Sequence, residues 1–245
     1  MQTRAVRDGE DYILSGTKRF ITNADKAGLF TVMARTGEPG AKGVSAFLVP
    51  ADLDGLSVGR PERKMGQQGA HVCDVTFDEV RVPAENRLGG EGEGFSIAMR
   101  VLDRGRLHIA AVCAGISERL ISDSVAYAVE RRQFGKPIAE FQLIQAMIAD
   151  MKTEAMAARA LVMEAAASMD RGERITLAAA AAKYFASEAV GRAADRAVQI
   201  HGGSGYIADH GIERLYRDVR LFRLYEGTSQ IQQIVIARET IKAGG

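Results

Sequence analysis

The spacing of the hydrophobic residues changes once, near residue 95, and that change limits the chain to an α+β arrangement of two parts. Before it, β-branched and aromatic residues come in short runs at 11–14, 20–22, 29–34, 44–49, 56–58 and 72–77. Turn formers such as Gly37-Glu38-Pro39-Gly40 and Asp52-Leu53-Asp54-Gly55 separate these runs. More than half of the 26 glycines and all but one of the five prolines fall in this part. The pattern predicts a small antiparallel β-sheet or barrel. Beyond it, Leu143, Ile144, Met147, Ile148, Met151 and Ala155 recur on one helical face. No proline follows Pro137, and Ala178 to Ala182 are consecutive, which favours a closely packed helix. Helices are predicted at about 95–131, 140–171 and 176–200, with a short one near 211–219 and a last one over 229–242. That set makes an up-and-down four-helix bundle. The expected domains are a β domain at 1–94 and a helical domain at 95–245. Gly89-Gly90-Glu91-Gly92-Glu93-Gly94 reads as the linker, since it lacks the Lys-Ser/Thr of a P-loop and the strand context of a dinucleotide fingerprint.

Composition removes several function classes. Hydrophobic residues are 47% and charged residues 26%, as in ordinary globular proteins. A net charge of +1 gives no electrostatic pull toward nucleic acid or an anionic membrane. Cys73 and Cys113 form neither a disulfide framework nor a metal-type spacing, and read as two buried thiols in a reducing compartment. His71, His108, His201 and His210 are scattered, so no metal site is expected. No apolar run reaches the ~18 residues of a membrane span. The first residues lack the apolar core of a secretory signal.

One carboxylate stands out locally. Glu226 lies between Tyr225 and Gly227, just ahead of a helix start, with Leu221, Phe222 and Leu224 upstream. Poor solvation raises a carboxylate's pKa. Gly227 permits a tight turn and close approach of a ligand. Thr228 and Ser229 can cap the helix and leave N–H groups aimed outward. A general base beside a phosphate-bearing cofactor fits these residues, and so does a helix start that binds nothing.

Longer motifs narrow the choice. Tyr225-Glu226-Gly227-Thr228-Ser229-Gln230-Ile231-Gln232, followed by Ile236-Ala237-Arg238, resembles the catalytic-base segment of the acyl-CoA dehydrogenases. Gly16-Thr17-Lys18-Arg19-Phe20-Ile21-Thr22-Asn23, Glu130-Arg131-Arg132-Gln133-Phe134-Gly135 and Gln199-Ile200-His201-Gly202-Gly203-Ser204-Gly205-Tyr206 resemble further segments of that family, in the same order. Val80-Arg81-Val82-Pro83 and the loop at 89–95 match more weakly. The resemblance implies a flavoprotein with a middle β domain and a C-terminal four-helix bundle. The family's N-terminal helical domain, and a strand and loop carrying Thr-Glu and Gly-Ser-Asp patterns, have no counterpart here, so the chain looks like the last two-thirds of a member.

The resemblance also assigns residues. Phe20, Ile21 and Thr22 match the stretch against the isoalloxazine of FAD, although Phe-Ile-Thr is also good strand sequence. Arg131, Arg132, Gln133 and Phe134 match a segment reaching the flavin diphosphate of a neighbouring subunit, and guanidinium suits phosphate. An arginine pair at a helix end serves the helix dipole equally well. Gln142 matches a further polar contact. Gln199, Ile200, His201, Gly202 and Gly203 match the loop that touches the cofactor across the dimer interface. Thr228, Ser229 and Gln230 match contacts from the last helix. On the substrate side, Asp103 and Arg106 match positions along the pantetheine arm and near the base. Tyr225 would lie beside the acyl chain and limit water access. Gly227, Arg174 and Arg238 match weaker contacts, the two arginines toward the CoA adenine end. Some branches of the family carry the base at the position of Gly105, which leaves Glu226 as the base here.

The implied reaction is abstraction of the α-proton of an acyl-CoA thioester by Glu226, with hydride transfer from the β-carbon to flavin N5, giving a trans-2-enoyl-CoA. The resemblance further implies an electron-transfer flavoprotein as acceptor, a homo-oligomer built as a dimer of dimers, and a bacterial cytoplasmic or mitochondrial matrix location. An assembly subunit without activity, and an oxidase of the same fold that passes electrons to oxygen, remain open alternatives. A DNA-associated branch is disfavoured by the near-neutral charge.

Overall fold

The computed structural model describes residues 2–244; Met1 and Gly245, the outer ends of the two expected domains, lie outside the described residues. The chain divides into two compact units, one up to Val101 and one from Leu102 onward.

The first unit is built on a seven-stranded sheet. Its strands are β1 (Arg4–Asp8), β2 (Asp11–Thr22), β3 (Leu29–Arg35), β4 (Val44–Pro50), β5 (Leu56–Val58), β6 (Val72–Pro83) and β7 (Arg87–Leu88), in the order β5-β6-β2-β1-β3-β4-β7. Period-two alternation puts Tyr12 and Leu14 of β2, Phe30, Val32 and Ala34 of β3, and Cys73, Val75 and Phe77 of β6 in one core. The sheet is not wholly antiparallel, as the sequence suggested. The β1–β2 hairpin turns once, and the chain then crosses to the far side of β1, so β3 lies parallel to it at Arg4↔Arg35.

Two predicted runs, 11–14 and 20–22, belong to one strand. The polar residues between them sit at irregularities of the β2–β6 ladder, between Leu14 and Gly16 and between Lys18 and Ile21. Such bulges break the alternation on which sequence reading depends. At Gly16 (φ +135°) a Cβ would come 2.8 Å from the Thr3 backbone, so only glycine fits. The glycine-rich segment is not a loose linker either. Gly92 N–H donates to Ser45 Oγ at 2.9 Å, Gly90 N–H to Glu93 Oε2 at 2.7 Å, and a Cβ on Gly94 would strike the backbone of Ser45.

Helix α1 (Gly94–Glu130) begins in the first unit and continues into the second. A two-stranded hairpin follows, β8 (Arg132–Gln133) and β9 (Lys136–Pro137). Then come α2 (Gln142–Asp170), α3 (Thr176–His201), the short α4 (Gly203–Tyr206), α5 (Ile212–Val219) and α6 (Ser229–Gly244). The long helices agree with the predicted ones to within a few residues; the hairpin and α4 are additions. Helix α3 is the axis of the bundle. Its buried positions fall on every side, among them Ala182, Ala186, Val190, Ala193, Ala194 and Ala197, and alanine lets neighbours approach closely. Cys113, Leu120 and Ala128 of α1, Met151, Ala155 and Ala158 of α2, and Ile212 and Val219 of α5 complete the core. Cys73 and Cys113 are both buried free thiols, and burial pushes Cys113 up to about 12.

Candidate functional site

Glu226 sits in the turn that leads into α6, with φ +54°, a left-handed conformation that non-glycine residues rarely adopt. Gly227 follows at φ +88°. Both carbonyls of this turn are held from inside the bundle. Gln232 Nε2 donates to Glu226 O and to Gly227 O, each at 3.0 Å, and Lys183 Nζ donates to Gly227 O at 2.7 Å. Thr228 Oγ1 accepts the Ile231 N–H at 3.3 Å, an ordinary N-cap. Ser229 does not face outward; its hydroxyl donates to Glu188 Oε1 at 2.6 Å, while Arg223 donates to Glu188 Oε2 at 3.3 Å. Gln230 is exposed.

The Glu226 carboxylate lies against α1. A Cβ built on Gly105 would stand 2.5 Å from Glu226 Oε2 and 3.1 Å from its Cδ. The shelter expected from upstream residues is only partial: Phe222 is buried and Leu221 half-buried, but Leu224 is exposed. Tyr225 is half-buried, its ring 5.8 Å from that of Phe222.

Around this turn, Arg106 is buried on α1 and donates to Asp103 Oδ1 at 2.9 Å; Asp103 Oδ2 accepts from Thr176 Oγ1 at 2.6 Å. Arg174 and Arg238 meet on one acid: Arg174 Nη1 lies 2.7 Å from Glu239 Oε2, and Arg238 Nη2 lies 3.4 Å from Glu239 Oε1. The Arg174 hydrogen bond, first, and its charge hold Glu239 below the usual carboxylate range.

A second group of predicted residues lines one cavity of about 980 Å³. Arg131, Gln133, Phe134, Gln142, Ile200, His201, Gly202 and Gly203 all border it. The hairpin explains why. Phe134 (φ +50°) and Gly135 (φ +81°) form a two-residue turn with both residues left-handed, which folds β9 back on β8. On the other wall, α3 ends at Gly202 (φ +57°), and a Cβ on Gly202 or Gly203 would meet nothing within 4 Å, so the backbone there faces open space. His201 is held by stacking on Tyr127 at 4.3 Å and by its Nδ1 lying 2.8 Å from Ala197 O. Two predicted residues do not border the cavity. Arg132 donates to Gly135 O at 3.0 Å and so ties the hairpin, and Gln199 is exposed on α3.

In the β unit, Phe20 occupies the β2 irregularity at φ +58° and is 65% exposed, with the Arg19 guanidinium 5.0 Å from its ring centre. Ile21 is half-buried and Thr22 exposed. The bulge at Lys18–Ile21 turns the Phe20 ring out of the sheet core.

Sequence reading missed Lys183, Gln232, Tyr127 and Lys136. Lys183 carried a visible signal: it is the one charged residue in the run from Leu177 to Ala186, and it is buried completely. Burial, aided by the positive charge of Arg106, pulls its ammonium down to about 8, against the opposite pull of Cys113, Glu226 and Glu188.

Comparison with known proteins accounts for both units. Residues 1–80 match the acyl-CoA dehydrogenase middle domain, and residues 92–241 match the acyl-CoA dehydrogenase C-terminal domain. Cyclohexane-1-carbonyl-CoA dehydrogenase of Geobacter metallireducens is 46% identical over 242 residues, covering 99% of this chain and 64% of that protein. A subunit of the caffeyl-CoA reductase–Etf complex of Acetobacterium woodii is 46% identical over 243 residues, with 99% and 64% covered. The structure of butyryl-CoA dehydrogenase from Megasphaera elsdenii superposes with a TM-score of 0.96 at 41% identity, over 98% of this chain and 63% of that one. The chain therefore spans less than two thirds of the length of these relatives. It belongs to the acyl-CoA dehydrogenase family.

Proposed function

We propose that this chain supplies the proton-abstracting and cofactor-lining residues of an FAD-dependent oxidation of an acyl-CoA thioester to its trans-2-enoyl-CoA. The observation that carries the reading is Glu226, a carboxylate on a strained but tightly bonded turn, packed against a helix position where glycine leaves room for it. Backbone strain of this kind persists where surrounding structure holds it, and it clusters at reactive sites. The cavity beside the hairpin supports the cofactor. Arg131 and Lys136 bring positive charge, Phe134 and Phe141 bring aromatic surface, and the Gly202-Gly203 backbone lies open to close approach. Those groups suit the anionic diphosphate and the rings of a flavin dinucleotide.

When bound, the flavin accepts the hydride. Glu226 takes the α-proton, and its fixed turn keeps the carboxylate from wandering out of reach. Tyr225 borders the same turn and limits water beside the base. Buried Arg106 and half-buried Asp103 form a hydrogen-bonded pair that holds the adjoining stretch of α1. Glu239 gathers Arg174 and Arg238, where their cationic groups suit the phosphates or adenine of CoA.

Reduction of a 2-enoyl ester is the same chemistry in reverse, with Glu226 returning the proton. The similarity to a caffeyl-CoA reductase subunit favours that second reading and, from its printed name, an electron-transfer flavoprotein as partner. Exposed Leu143, Met156 and Met163 on α2, with Ile234 and Ile241 on α6, support a homo-oligomer, read as a dimer of dimers. Among the described residues no helix is long and apolar enough to cross a membrane. A bacterial cytoplasmic or mitochondrial matrix location accompanies this reading.

The test is anaerobic addition of saturated acyl-CoA esters, linear, branched and alicyclic, to the flavin-loaded protein. Bleaching of the visible flavin band with formation of the enoyl ester supports the reading. A flavin band that none of the esters bleaches contradicts it.

A further inference from the structure

We infer that Lys183 and Gln232 are positioning residues that hold the Glu226–Gly227 turn in its reactive geometry. The inference rests on the assignment of Glu226 as the base. Both side chains are fully buried, and both donate to Gly227 O, while Gln232 also donates to Glu226 O. They reach the turn from different helices, Lys183 from the N-terminal third of α3 and Gln232 from the first turn of α6.

The turn needs such a clamp. A non-glycine residue at φ +54° is held against its own backbone preference. Fixing both carbonyls fixes the planes of the two peptides that follow Glu226, and with them its ψ angle and the direction of its side chain. Without donors, the two carbonyls of this half-buried turn lose their protein partners and the left-handed turn loses what opposes its relaxation. Gln232 presents its amide nitrogen to both carbonyls, while its Oε1 is buried and finds no partner among the described residues. Its orientation is therefore set by the turn.

Lys183 makes the point more strongly. A buried ammonium is expensive to desolvate, and position 183 is otherwise surrounded by alanine sequence that packs well without it. A lysine kept there, with its ammonium 2.7 Å from Gly227 O, ties the central helix of the bundle directly to the turn. Glu188, further along α3, joins Arg223 before the turn to Ser229 after it, so α3 grips both flanks as well as the centre.

The test uses Lys183→Met and Gln232→Met, alone and combined with Glu226→Gln, in flavin-loaded protein. The expected result is a fall in the rate of flavin reduction at saturating acyl-CoA on the order of 10²-fold for each single change. Flavin content and apparent KM stay the same, amide hydrogen exchange across residues 226–229 becomes faster, and Lys183→Arg recovers part of the rate. On the Glu226→Gln background neither change lowers the rate further, because residues that act through one group are not additive. Where Lys183→Met does not fold, Gln232→Met carries the same comparison. Reduction at the parent rate in a folded Lys183→Met or Gln232→Met protein, or a further loss on the Glu226→Gln background, overturns the clamp while leaving Glu226 as base. Parent-rate reduction in Glu226→Gln alone overturns the base assignment, and the clamp with it.

Discussion

The carboxylate of Glu226 packs against Gly105 of α1, in the space that any side chain at position 105 would need. A Cβ there would stand 2.5 Å from Oε2, well inside contact distance, and the helix backbone cannot retreat. Gly105→Ala is therefore predicted to displace the carboxylate without harming the fold, since alanine is the better helix former by about 1 kcal/mol. Flavin reduction by a saturating acyl-CoA should slow by on the order of 10²-fold, as small misplacements of a reacting group do. Rapid-mixing absorbance measures the rate, and thermal unfolding should show no loss of stability.

Lys183 gives a pH signature. Its folded-state pKa is lowered to about 8 from 10.5, by burial first, so between those values the unfolded chain binds the proton that the folded one has released. Stability attributable to this residue therefore rises as pH increases from about 8 toward 10.5, and the destabilising buried charge is fully present below about 8. The charged groups facing it, Glu226, Glu188, Arg106 and the Cys113 thiol, are included in that balance. Denaturant unfolding across this range should show a positive slope that Lys183→Met lacks.

The two adjacent arginines should behave differently. Arg131 borders the cavity, whereas Arg132 is bonded to Gly135 O within its own hairpin. Losing a hydrogen bond to a charged group is worth about 1.5–3 kcal/mol, so Arg131→Ala should weaken FAD binding by roughly ten- to a hundredfold. Arg132→Ala should weaken it less, through a looser hairpin. Titration of apoprotein with FAD, followed by fluorescence quenching, separates the two.

Close packing on α3 predicts a cost for added volume. Ala194 is completely buried in the bundle core, and Ala194→Leu forces neighbouring helices apart. Overpacking of this kind destabilises by about 1–3 kcal/mol. The midpoint of denaturant unfolding should fall accordingly.

The long helices were legible because their apolar spacing and their freedom from proline are local properties. The sheet was less so. Gly16 and Phe20 lie at irregularities that break alternation, and β1 runs Arg-Ala-Val-Arg-Asp, with Ala5 alone buried, so it offers no hydrophobic run to read. The β8–β9 hairpin was hidden because its turn is built by Phe134 and Gly135 rather than by an Asn-Gly pair. For the site, motif resemblance gathered residues from the segment around the β8–β9 hairpin, from the start of α2 and from the end of α3 that the structure brings to one cavity. It did not find Lys183 or Gln232, since each touches Glu226 or Gly227 only through backbone carbonyls, and such bonds leave no mark on spacing. The Gly89–Gly94 run, read only as a linker, makes specific contacts that its composition did not show. Gly92 and Gly94 pack closely against the backbone of Lys42 and Ser45, so the linker is fixed in place.

The central claim is that Glu226 removes a proton from carbon, and a single substitution tests it most directly. Glu226→Gln keeps the size and the turn but removes the basic oxygen. Anaerobic rapid mixing of this protein with a reactive acyl-CoA should show an intact flavin band and a reduction rate lower by about 10²–10⁴-fold or more. A reduction rate equal to that of the unaltered protein would contradict the account.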